Sequence, residues 1–497
     1  MLRSFARATA ILALAGVMLT GCVTQPEIRL PAPESEPLNQ TLAWEQCGGV
    51  ECATITAPLD WDAPGEEEIE LALVRVRATG DAQGTILVNP GGPGGSGFDF
   101  VRSAITSIAS DELRENYDFV GWDPRGVGRS SAVTCLDGEE KDALLFGDWS
   151  ADYGTDAWVA ELESAEREFA AACETNTGPL LGFVDSVSTA KDMELMRALL
   201  GDEKLNYLGY SYGTYFGTVY AELFPDKVGR LVLDGALDPT LTPIDWFTSQ
   251  MRGFDGAAVA YLADCVTDAS CPFSGSPADA ARQLGDVLDS VELRASDGRT
   301  LDSVGLSFAI ATGLYSSSSW PTLTAMFVEI DEGETDLAFR LLDSYFGRSG
   351  AGEYSDNSFE VYTATLCLDS DLAGDDFDVS SGLDRIVDAA PIIGRYFAFD
   401  DYAHVEAACT AWPYGASTRP STFDAAGADP ILVIGTTNDP ATPYSWATGL
   451  AEQLESGVLV TFNGEGHTIY GRGNACIDDT VDAYFIAGTV PDSDPDC

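Results

Sequence analysis

An α/β fold built on a mostly parallel central sheet is predicted by three features of the chain. Short apolar runs, of strand length, alternate with stretches whose apolar residues recur at helical spacing. The unit from 186 to 234 reads helix, strand, sharp turn, helix, strand, the order a parallel sheet requires. The turn itself, Gly209-Tyr210-Ser211-Tyr212-Gly213, has small residues two before and two after its serine. There a strand must reverse tightly into a helix that packs close against it. The pentapeptide alone is a weak signal in a chain with 50 glycines, so its weight comes from its surroundings.

The amino terminus lies outside this pattern. Arg3 and Arg7 precede the apolar run Ala8 to Leu19, shorter than the roughly 20 residues that span a bilayer. Leu19-Thr20-Gly21-Cys22 follows and resembles bacterial lipoprotein processing sites, in which the cysteine is lipidated and becomes the first mature residue. Residues 1–21 are therefore expected to be a lipoprotein-type signal peptide, with lipidation at Cys22. An ordinary signal peptide cut nearby is the alternative. The stretch 22–43, with four prolines and mixed polar residues, reads as a flexible tether.

The first part of the core is expected over 44–237. Thr85 to Val88 reads as an early buried strand, followed by Asn89-Pro90-Gly91-Gly92-Pro93-Gly94-Gly95-Ser96-Gly97. Glycines let such a backbone approach a substrate without Cβ clashes. No lysine follows in a phosphate-loop pattern, so nucleotide binding is disfavoured. Tyr117 to Asp123 is another core strand, and Pro124-Arg125-Gly126-Val127-Gly128-Arg129-Ser130 turns after it. Its arginines are expected to bind carboxylates or carbonyls near the site. Ser186 to Leu200 reads as a helix stopped by Gly201, Lys204 to Tyr210 as the strand before the turn, and Arg230 to Leu233 as the next strand.

Residues 238–417 form an expected insertion, a mainly helical cap, with helices over Gln283 to Val291 and Pro321 to Ile330. The core resumes over 418–497. Ile431 to Gly435 is a buried-strand run ending in Thr436-Thr437-Asn438-Asp439-Pro440, which sets Asp439 at a strand's carboxyl end, where catalytic groups gather in α/β sheets. Asp429 stands at the wrong end of that strand. Gly457 to Phe462 is the last strand, and Asn463-Gly464-Glu465-Gly466-His467 follows it.

A serine hydroxyl needs a base to take its proton and a carboxylate to orient that base. The chain has two histidines. His404 falls in a helical stretch away from parallel-strand signals, which suits a surface or packing residue, so His467 is the expected base. The order Ser211, Asp439, His467 is that of α/β-hydrolases rather than of trypsin-like or subtilisin-like enzymes. One oxyanion donor is expected from the amide of Tyr212 and the other from the glycine-rich loop after the early strand.

Composition sets the outer bounds. With 80 acidic against 26 basic residues the net charge is −54, which repels nucleic-acid phosphate and anionic lipid. No nucleic-acid partner is expected, and membrane contact only through a lipid on Cys22. Eleven cysteines less Cys22 leave ten, an even number suited to disulfides in an oxidising compartment. Proximity in sequence suggests Cys47 with Cys52, Cys135 with Cys173, Cys265 with Cys271, Cys367 with Cys409 and Cys476 with Cys497. No cofactor is called for, and the absence of C-x-x-C with two distant histidines disfavours a zinc site.

Six segments, NPGGPGGSG, YDFVGWDPRGVGRS, LNYLGYSYGTYFGTVYAELFP, VGRLVLDGALDP, GTTNDPATPYSWA and GEGHTIYGRGNACIDD, together resemble the secreted tripeptidyl-aminopeptidase-like branch of the proline iminopeptidase family. The likeness runs from about Trp44 to Cys497. It implies an α/β-hydrolase with a helical cap, Gly92 as oxyanion donor beside Tyr212, and a peptide substrate with a free amino terminus. It also implies that acidic cap residues hold that amine, with Asp369, Asp400 and Asp401 as candidates. Asn89-Pro90 stands where many iminopeptidases carry a histidine, which argues against strict proline specificity, although this branch commonly lacks that histidine. The resulting expectation is an exported serine exopeptidase releasing short peptides, tripeptides foremost. A small-substrate esterase or amidase on the same triad is the alternative, and a non-catalytic binding lipoprotein a third.

Overall fold

The computed structural model describes residues 39–370 and 379–497. The expected signal peptide, Cys22 and most of the tether lie outside them. Nine strands of the described chain form one sheet: β1 (Glu45–Cys47), β2 (Val50–Pro58), β3 (Glu68–Val76), β4 (Gly84–Asn89), β5 (Tyr117–Trp122), β6 (Leu205–Tyr210), β7 (Val228–Asp234), β8 (Ile431–Asn438) and β9 (Gly457–Glu465). Their spatial order is β1-β2-β3-β5-β4-β6-β7-β8-β9. From β5 onward every neighbouring pair is parallel, and the first three strands attach antiparallel to that block. This is the α/β-hydrolase fold, with the mainly helical insertion between β7 and β8.

The parallel strands sit where their sequences require. Ile431 to Gly435 is buried throughout, and Leu205, Tyr207 and Leu208 are likewise closed off from water, because helices cover both faces. Ile86, Val88, Phe119, Leu208, Val232 and Ile434 meet in one apolar cluster under the carboxyl ends of the strands. The helix Ser186–Leu200 spans the expected residues, with Asp185 accepting the amide of Ser188 at its start and Gly201 in the left-handed conformation at its end. The insertion begins with the helix Pro243–Cys265, and the expected cap helices occur as Pro277–Ser290 and Trp320–Glu332.

All five disulfides link the cysteines paired above. Cys367–Cys409 ties the helix Ser358–Asp369 to the helix Tyr402–Ala411. Both arginines of the turn after β5 are structural. Arg125 is fully buried against both oxygens of Asp192 and the carbonyls of Pro58, Leu59 and Phe183. Arg129 forks onto Asp99 at 2.8 and 2.9 Å.

Candidate active site

Ser211 sits between β6 and the helix Tyr212–Leu223 at φ 53°, a left-handed conformation that costs a non-glycine residue roughly 1–3 kcal/mol. The flanking glycines make the turn possible. A Cβ on Gly209 would lie 2.6 Å from the Gly213 carbonyl, and one on Gly213 would lie 2.8 Å from the Asn89 carbonyl. The amide of Ser211 donates to the carbonyl of Asp234 at 2.9 Å. The glycine-rich loop closes over this turn. Gly91, at φ 93°, has room for no side chain, since a Cβ would stand 2.9 Å from that of Ser211.

The strands β8 and β9 deliver the other two groups. His467 Nδ1 lies 2.9 and 3.0 Å from the two oxygens of Asp439. Asp439 is buried and also accepts the amides of Ala441 and Thr442, both at 2.9 Å. The hydroxyl of Thr442 stands 3.1 Å from Asp439 and 3.2 Å from His467 Nδ1. A carboxylate at Nδ1 fixes the tautomer with its proton there and leaves Nε2 free to accept another. The insertion steadies this ring from above. The carbonyl of Tyr315 accepts the His467 amide at 2.9 Å, and its ring meets the imidazole edge-on at 5.4 Å.

Ser211, Gly92, Tyr212 and Thr442 line one cavity of about 240 Å³ between core and insertion. Its walls are aromatic, including Trp246, Phe254, Tyr315, Tyr345 and Phe397. Its polar end carries Asp400, Asp401 and His404. Asp401 is buried and takes the hydroxyl of Tyr362 at 2.9 Å, while burial pushes its carboxyl up to about 7. His404 lies between Glu166, 2.6 Å from Nδ1, and Asp400, 3.0 Å from Nε2. Burial pulls His404 down, but the Asp400 and Glu166 charges outweigh it and carry the imidazole up to about 10.

Two sequence expectations are refined by this geometry. Of the surface or packing role expected for His404 the surface half does not hold: it is buried between Glu166 and Asp400 and lines the cavity. Asp369, one of three candidate amine ligands, does not line that cavity. It takes the Tyr212 hydroxyl at 2.7 Å and the Ser186 amide at 2.9 Å, and burial pushes it up to about 7. Glu166, Thr442 and Tyr315 were not foreseen, because nothing in their local sequence separates them from ordinary helix, turn and cap residues.

Fold and site together define a serine hydrolase of the α/β-hydrolase class. Comparison with known proteins narrows this. Residues 395–497 match the family described as TAP-like protein. Serine protease Hip1 of Mycobacterium tuberculosis is 36% identical over 98% of this chain and 96% of its own. Carboxylesterase B of the same organism is 37% identical over 90% and 86%, respectively. Tripeptidyl aminopeptidase of Streptomyces lividans is 30% identical over 91% and 86%. The chain belongs to this tripeptidyl-aminopeptidase-like family of serine hydrolases.

Proposed function

We propose that the protein is an extracytoplasmic serine exopeptidase that releases short peptides, tripeptides foremost, from free amino termini through an acyl-enzyme on Ser211. The observation that carries this reading is the buried acidic end of the cavity above Ser211. Asp400 is balanced by His404, whereas among the described residues no basic side chain bonds to Asp401. A substrate ammonium supplies the missing cation, and the aromatic walls between Asp401 and Ser211 suit a few peptide residues of apolar character.

In this reading Ser211 Oγ attacks the scissile carbonyl while His467 Nε2 takes its proton. Asp439 keeps Nδ1 protonated and stabilises the imidazolium. The amides of Gly92 and Tyr212 receive the developing oxyanion, the strongest contribution to such barriers. His467 then protonates the leaving amine, and water repeats the sequence to free the acyl peptide. Residues 238–417 act as the cap that limits how much peptide fits beneath it. The five disulfides support an oxidising compartment. The leader over 1–21 and lipidation at Cys22 complete the same reading from sequence.

The esterase or amidase alternative keeps one specific support, the apolar walls, which also suit an acyl group without an amine. Turnover of a tripeptidyl chromogenic amide is compared with that of its amino-blocked form. A strong preference for the free amine is expected, and Asp401→Asn is expected to raise KM for that substrate alone. Equal rates on both forms would sink the exopeptidase reading.

A further inference from the structure

We propose that Asp234 is a positioning residue for the reaction, holding nucleophile and base in register through its carbonyl and its carboxylate. The inference rests on Ser211 and His467 as the reacting pair, but not on the identity of the substrate. Asp234 is fully buried at the end of β7, beside β8, the strand that Asp439 follows. Its carbonyl accepts the amide of Ser211 at 2.9 Å. Its Oδ2 accepts the amides of Ile469 and Tyr470 at 2.9 and 2.8 Å, just past His467. One residue therefore grips both the elbow under the nucleophile and the loop that carries the base.

The next residue extends the grip. Gly235, at φ 69°, donates its amide to the Ile434 carbonyl at 3.1 Å. A Cβ there would lie 3.1 Å from Cε1 of His467 and 2.9 Å from Cγ2 of Thr468, so this backbone packs directly against the base.

A carboxylate here brings a charge to the grip as well as an acceptor. Holding two amides needs only a neutral acceptor, and burying a carboxylate is costly. Yet Oδ1 of Asp234 makes no hydrogen bond among the described residues. Burial pushes Asp234 up to about 6, while the amides of Tyr470 and Ile469 and, after them, the charges of His467 and Arg472 favour its ionised form. The Tyr210 ring on β6 also stands near the Asp234 charge, and Asp439 holds the imidazole directly. Above about pH 6 a second carboxylate thus stands near the imidazolium that forms during acyl transfer.

The test uses the whole chain and a small activated ester without an amine, so that amine recognition plays no part. Asp234→Asn keeps an acceptor for the two amides and removes the charge. We expect kcat to fall roughly 10-fold with KM held within about twofold. The acid limb of kcat/KM should move to lower pH, since an imidazolium that loses a negative neighbour gives up its proton more readily. Asp234→Ala should cost more, because it also strands the amides of Ile469 and Tyr470. An unchanged kcat and acid limb, or an effect confined to KM, overturns the proposal. If neither variant folds, hydrogen exchange on the wild type decides. Protection of the Ile469 and Tyr470 amides, corrected for intrinsic rates, should weaken as pH falls through about 6. Protection independent of pH overturns the proposal. Retained turnover in Ser211→Ala or His467→Ala would instead refute the assignment of the reacting pair.

Discussion

His467 and His404 are the only histidines of the chain, and the structure buries both against carboxylates with opposite chemical results. His467 has one carboxylate on Nδ1, which leaves Nε2 for proton traffic. His404 has one on each nitrogen and is carried up to about 10, so it stays cationic and cannot cycle as a base near neutrality. Replacing His467 by Ala should lower kcat on the order of a thousandfold or more. On the exopeptidase reading proposed above, His404→Gln should act through amine binding instead, raising KM for free-amine substrates while kcat changes little; steady-state kinetics on one tripeptidyl amide separates the two. Part of this was legible in the chain. Asp439 could be found because a strand's carboxyl end is a place with meaning in a parallel sheet. Asp234 occupies the equivalent place on the neighbouring strand, and the same rule reaches it. Asp369, Asp400 and Asp401 could not be sorted from sequence, because their roles depend on which helix face of the insertion meets the cavity. Glu166 left no sequence signal, since its partner His404 is 238 positions away.

At the scale of elements, the catalytic geometry depends on loops wedged together with no spare volume. Gly91 is the point that bears directly on Ser211. A Cβ there would meet the Tyr210 carbonyl at 2.5 Å and the Tyr212 amide nitrogen at 2.8 Å, on either side of Ser211. The insertion presses on the same loop: a Cβ on Gly94 would lie 2.7 Å from the Ser358 carbonyl. Asn357 beside it donates to the carbonyls of Gly126 and Val133, each at 2.8 Å. Gly91→Ala should therefore displace the elbow or the oxyanion loop and cost about 100-fold or more in kcat/KM. Gly49→Ala is the control. Gly49 has nearly the same φ, 96° against 93°, but nothing within 4 Å of the added Cβ, so only backbone strain is introduced. Equal losses of activity in the two variants would show that wedging around Ser211 is not the cause. The elements that form this wedge were legible where burial is nearly complete, as in β4 to β8. The antiparallel margin was not: Val50–Pro58 and Glu68–Val76 alternate exposed and buried residues and carry glutamates and an arginine among the apolar ones. The helix Asp156–Thr177, which supplies Glu166, mixes alanine and glutamate with few large apolar residues, so its buried face left only a faint pattern.

For the whole molecule, the buried titratable groups and the net charge act on stability in the same direction. Burial pushes Asp234 up to about 6 and Asp369 and Asp401 up to about 7, whereas an unfolded aspartate titrates near 3.9. The folded state thus holds these protons more tightly than the unfolded chain. Their contribution to stability is complete below the unfolded value and is lost as pH rises through about 6 to 7. His404, carried up to about 10, has the same sign at higher pH. Carboxylates held low, Asp142 against its burial by Arg348 and Tyr354 and Asp245 by the Thr242 hydroxyl and then Arg385, act oppositely, but only in the acid range below about 4. A net charge of −54 adds self-repulsion that protonation relieves. The melting temperature should therefore be higher at about pH 5.5 than at about pH 8, by several degrees in a chain of this size. Asp401→Asn cannot titrate at that position and should flatten the dependence. An unchanged slope in that variant would assign the effect to surface repulsion instead, and a melting temperature that rises toward alkaline pH would contradict both causes.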